Sequence, residues 1–77
     1  MNKERRGRIA QFLALLEDTQ YQLEAIQDEE QEAYDNLPMS LSCSERAETM
    51  EAALDSLGAA ISSLEDAVSS LQEVIEG

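Results

Sequence analysis

The residues able to do chemistry are few, and most are carboxylates. The chain of 77 residues holds 17 Asp and Glu, five Lys and Arg, no histidine and one cysteine, Cys43. Without histidine there is no Ser-His-Asp or Cys-His arrangement to activate a nucleophile. The Glu-x-x-His ligand sets of di-iron bundles are equally out of reach. A lone cysteine supplies neither a disulfide framework nor a thiolate cluster for zinc. Carboxylates by themselves can form an acid and base pair or hold a hard cation. The acidic run DEEQEAYD, residues 28–35, lacks the glycine and the alternating ligands of a calcium loop. A solvated helix face is its simpler reading. GRIA and SLGAA contain single glycines, so no phosphate-cradling loop exists. The chain therefore reads as non-enzymatic, with no cofactor and no metal.

Two other groups could bind rather than react. Arg5, Arg6 and Arg8, with Lys3, make a basic cluster that could serve as an anion arm for phosphate groups. Tyr21 and Tyr34 could stack on a base if a groove brought them to those arginines. The net charge of −12 opposes both readings. A surface this acidic repels nucleic acid and anionic membrane and attracts basic protein surfaces. The plainer role of the acid is to keep a helical chain dissolved.

The elements that position these residues follow from periodicity. In the second half, Ala47, Met50, Leu54, Leu57, Ile61, Leu64, Val68, Leu71 and Ile75 recur in alternating steps of three and four. This is an unbroken heptad with Ala, Leu, Ile, Val, Ile at a and Met, Leu, Leu, Leu at d. Ser42 with Glu45 forms a candidate capping box, and Ser44 is a second cap candidate. The expected helix runs over about 44–75. In the first half, Ile9, Phe12, Leu16, Thr19, Leu23, Ile26, Glu30, Ala33 and Leu37 show the same rhythm, flawed at Thr19 and Glu30. That helix is expected over about 3–36, stopped by Pro38. The hinge of 37–43 is short, which favours antiparallel neighbours. The fold class is all-α: one domain, an antiparallel two-helix hairpin of coiled-coil type.

Pairing the stripes sets Ile26 against Leu54, Leu23 against Leu57, Leu16 against Leu64, Phe12 against Val68 and Ile9 against Leu71. Thr19 falls near Gly58 and Ile61. Arg46 falls where Glu30, Glu32 and Asp35 gather. The basic tip falls beside Glu73 and Glu76, which is the favoured reading of Lys3 to Arg8.

The uncharged face of the second helix is wider than such a seam requires. Ala53, Ala60, Ala67 and Val74 occupy position g, and Thr49, Ser56, Ser63 and Ser70 occupy position c. A hairpin uses a narrow stripe, so the excess implies a further neighbour. Small domains commonly oligomerise to gain a core. Two hairpins forming a four-helix bundle is the economical solution, with Phe12, Leu13, Leu15, Ala60, Ala67, Val68, Leu71 and Val74 as oligomer contacts. Asp28, Glu29, Glu32, Asp35, Glu45, Glu48, Glu51 and Asp55 crowd the hinge end and are the candidate contact for a basic protein.

The apolar run IAQFLALL contains Gln11 and is followed by Glu17 and Asp18. It is too short and too polar for a membrane span or signal segment, and a single cysteine fits a reducing compartment. A cytoplasmic location in a bacterial cell is expected. The hinge segments DEEQEAYDNLP and SERAETMEAALDSL resemble those of short acidic helical-hairpin proteins from low-GC Gram-positive bacteria, their phages and mobile elements. That resemblance covers residues 20 to 60 and implies an accessory protein. An inhibitor that occupies the nucleic-acid-binding surface of a host protein is one such role. The competing readings are a purely structural assembly module and a nucleotide-binding oligomer.

Overall fold

The computed structural model describes residues 1–77 as two long helices joined by a tight turn. Helix α1 spans Lys3–Asp35 and helix α2 spans Glu45–Glu76, with a single 3-10 turn at Met39–Leu41 between them. The helices pack along one another into a rod of 59 × 14 × 13 Å. The hairpin is as expected, with helix ends within a residue of the boundaries read from sequence.

Local chemistry accounts for each end. Asn2 caps α1, its side-chain oxygen accepting from the Arg5 amide at 2.8 Å. Asn36 closes α1, its amide donating to the Glu32 carbonyl at 3.0 Å. Pro38 has φ −58° and ψ 148°, an extended conformation that turns the chain out of helix. Ser44, rather than Ser42, caps α2, with Oγ accepting from the Ala47 amide. The Ser42 hydroxyl instead donates to the Met39 carbonyl at 2.8 Å and steadies the 3-10 turn.

Helix α2 presents the seam read from its sequence. Ala47, Ile61 and Val68 are buried, and Met50, Leu54, Leu57, Leu64, Leu71 and Ile75 are half-buried. Helix α1 differs by one residue on alternate turns. Its inward row is Ile9, Leu13, Leu16, Gln20, Leu23, Gln27, Glu30, Tyr34 and Leu37, all buried or half-buried. Leu13, at 9% exposure, takes the core place expected of Phe12, which is 61% exposed. Thr19, Ile26 and Ala33 likewise face outward. Both rows satisfy the alternation of three and four, because they share Ile9, Leu16, Leu23, Glu30 and Leu37.

Three polar members of the inward row meet α2 across the seam. Tyr34 donates its hydroxyl to Glu51 Oε1. Gln20 Nε2 bonds Glu65 Oε1 at 3.4 Å and Glu24 Oε1 at 3.1 Å. Gln27, not Thr19, lies against Gly58, where a Cβ would stand 3.5 Å from its Nε2. These contacts repeat every seven residues on both helices, on the e side of α2. The selected row thus gives Tyr34 and Gln20 hydrogen-bond partners on α2 and leaves Phe12, Leu15 and Ile26 outside.

Candidate functional site

Letters assigned from the observed seam sort the surface by chemistry. In α1, Leu13, Gln20, Gln27 and Tyr34 are a, and Ile9, Leu16, Leu23 and Glu30 are d. In an antiparallel pair the two e rows flank one side of the seam and the two g rows flank the other. The e side carries Glu17, Glu24, Glu51 and Glu65. The opposite side carries g residues Arg5, Phe12, Thr19, Ile26 and Ala33 from α1, with Arg46, Ala53, Ala60, Ala67 and Val74 from α2. Beside them lie c residues Arg8, Leu15, Gln22 and Glu29 of α1, and Thr49, Ser56, Ser63 and Ser70 of α2. This lateral side holds one of the 17 acids and three of the five bases.

The lateral side is open. Phe12, Leu15 and Ile26 are 61%, 62% and 49% exposed, and every c and g position named is exposed except the half-buried Val74. Its hydroxyls largely turn inward: Thr19, Thr49 and Ser63 donate to the carbonyls of Leu15, Glu45 and Ala59 at 2.8, 3.0 and 3.0 Å. A hydroxyl bonded to its own helix presents carbon outward. Of the expected oligomer contacts, Leu15, Phe12, Ala60, Ala67 and Val74 lie on this side. Leu13 and Val68 are each 9% exposed and belong to the hairpin's own core, and Leu71 is in the seam. Leu13 and Val68 thus serve the hairpin itself, while Leu71 is half-buried there.

The hinge end assembles the expected acids. Asp28, Glu29, Glu32, Asp35, Glu45, Glu48, Glu51 and Asp55 are all exposed. Asp35 accepts from Gln31 at 2.9 Å, and Glu51 accepts from Tyr34. That hydrogen bond, then desolvation, then repulsion by Glu51, Asp35 and Cys43, raises the Tyr34 pKa above 10.0. No base neutralises these acids. Arg46, expected to pair with Glu30, Glu32 or Asp35, points along the g row and forms no ion pair; the one in the structure joins Arg8 to Glu4 at 3.2 Å. The α1 g row that flanks Arg46 offers Ala33 and Ile26 rather than an acid. No three His, Cys, Asp or Glu side chains converge in a geometry able to hold a metal ion.

The basic tip is divided. Arg6 turns to the seam, half-buried, with its Nε lacking a partner. Arg5 and Arg8 join Met1, Ile9 and Phe12 around an open concavity of about 280 Å³. Neither Arg5 nor Arg8 pairs with Glu73 or Glu76 of α2. Neither tyrosine reaches this concavity: Tyr34 is committed to Glu51, and Tyr21 is 70% exposed on another face. The nucleotide platform of arginines and a tyrosine is therefore not assembled within one hairpin. No helix is long and apolar enough to cross a membrane. The chain matches no family model, no curated protein and no solved structure.

Proposed function

We propose that this hairpin is a non-enzymatic protein-binding module that works as a homodimer packed into a four-helix bundle. Its acidic hinge end engages a basic surface of another protein, of the kind that otherwise holds nucleic acid. The observation that carries the reading is the division of the surface. Eight exposed, unneutralised carboxylates crowd one end, while a long side poor in acid bears Phe12, Leu15 and Ile26. Fixed like charges on a rod focus a potential that steers a basic partner and favours fast association. The likeness of the hinge segments to short acidic bacterial and phage proteins extends the proposal to inhibition by occupying such a surface.

Charge reversal tests it. Asp28→Lys, Glu32→Lys and Glu48→Lys together should abolish salt-sensitive capture of basic proteins from bacterial extract while leaving the helical circular dichroism intact. Capture that persists unchanged overturns the acidic contact. A second reading, an assembly module whose acid serves solubility alone, draws on the exposed Leu15. Under it, Leu15→Glu destroys function and the three reversals do not.

A further inference from the structure

We infer that the second copy docks on the c and g side of the hairpin, antiparallel, with a two-fold axis crossing near Thr19 and Ala60. The inference rests on the homodimer proposed above and specifies its face and orientation. A side 59 Å long and 14 Å wide is of the order of the roughly 800 Å² per partner that a standard interface buries. Positions a, d and g together form the broader stripe that a bundle helix needs.

The face is self-complementary when reversed end to end. Thr19 and Ala60 sit at the middles of Lys3–Asp35 and Glu45–Glu76. About Thr19, Phe12 meets Ile26 of the second copy, Leu15 meets Gln22, and Arg8 meets Glu29. About Ala60, Ala53 meets Ala67, Ser56 meets Ser63, and Thr49 meets Ser70. The small residues let α2 approach α2 of the second copy closely. Arg8 is held in the free hairpin only by an exposed i,i+4 pair with Glu4, a weak competitor.

Charge selects this orientation over its alternative. Residues 24–55 hold ten acids and one base, whereas the remaining residues hold seven acids and four bases. Stacking the hairpins with both loops at one end sets the acid-rich halves together and concentrates self-repulsion there. Reversal lays each acid-rich half over the basic tip of the other copy.

Three measurements test the inference. With Cys43→Ser as background, Thr19→Cys alone and Ala60→Cys alone should each form disulfide dimers on mild oxidation, since facing residues then come within bonding distance. A link that forms only between Thr19→Cys and Ala60→Cys chains means loops at the same end, and overturns the orientation. In the native protein, a short bis-maleimide should not join the two exposed Cys43 thiols, which reversal holds at opposite ends; efficient joining within the dimer also overturns it. Arg8→Glu and Glu29→Arg should each weaken the dimer about fivefold, the scale of an exposed ion pair, and together restore it. Failure of that rescue overturns the pairing. Sedimentation separates the two levels: a monomer at high micromolar concentration removes the homodimer itself, whereas a dimer with the wrong cross-links removes this inference alone.

Discussion

Tyr34 shows how one side chain couples the two helices to solution conditions. Its hydroxyl donates to Glu51 Oε1, and ionisation would place a phenolate against that carboxylate. The hydrogen bond first, and desolvation and repulsion after it, hold its pKa above 10.0 in the folded hairpin. The folded pKa is thus above the unfolded one. The stability from this contact is fully present below pH 10 and lost as pH rises through the folded pKa. A phenolate absorbance titration should show a late phase that disappears in Tyr34→Phe, and the variant should lose its share of the alkaline fall in Tm. The cap at Ser44 gives a second residue-scale expectation. Its Oγ accepts from the Ala47 amide at 3.3 Å, so Ser44→Ala leaves an orphaned donor and should cost about 1 kcal/mol. Thermal denaturation reads this as a fall in Tm of several degrees.

At the scale of elements, the seam distinguishes residues that look alike in sequence. Ile61 is 6% exposed and Ile26 is 49% exposed. Ile61→Ala should destabilise the hairpin by about 2 kcal/mol, the lower range for deleting a buried branched side chain. Ile26→Ala should leave the unfolding of the single hairpin nearly unchanged and weaken self-association. Guanidinium titration at several protein concentrations separates the effects. Gly58 offers the opposite change. Nothing closer than Gln27 Nε2 at 3.5 Å meets a Cβ built there, an ordinary contact with the end of a flexible side chain. Gly58→Ala should therefore raise stability by about 0.5–1 kcal/mol through helix propensity. A loss on that substitution means that Gln27 depends on the gap.

For the whole molecule, the governing quantity is a net charge of −12 on 77 residues. Raising ionic strength from 0.01 to 0.15 M shortens the screening length from about 30 to about 8 Å. Self-repulsion then eases, so Tm and dimer affinity should rise together, while capture of a basic partner should weaken. A Tm that falls with added salt contradicts this account of the charge. Leu15→Glu, on the outer face at 62% exposure, should leave the helical signal unchanged and dissociate the dimer in sedimentation.

The two helices, the turn and the α2 seam follow from residue order alone. Pro38 cannot continue a helix, Ser44 can start one, and nine apolar residues in alternating steps of three and four admit one inward face. The acids at the hinge end were also legible, because a short turn must bring residues 28–35 beside 45–55. Helix α1 was ambiguous for a physical reason. The rows through Phe12, Thr19 and Ile26 and through Leu13, Gln20 and Gln27 have the same period, and the first is the more apolar. Hydrophobicity counted along one helix favours Phe12, yet the tertiary structure takes Leu13. Across the seam Glu51, Gly58 and Glu65 offer partners and space to Tyr34, Gln27 and Gln20. Period fixes how many residues face inward, while the choice between two rows of equal period belongs to the opposing helix.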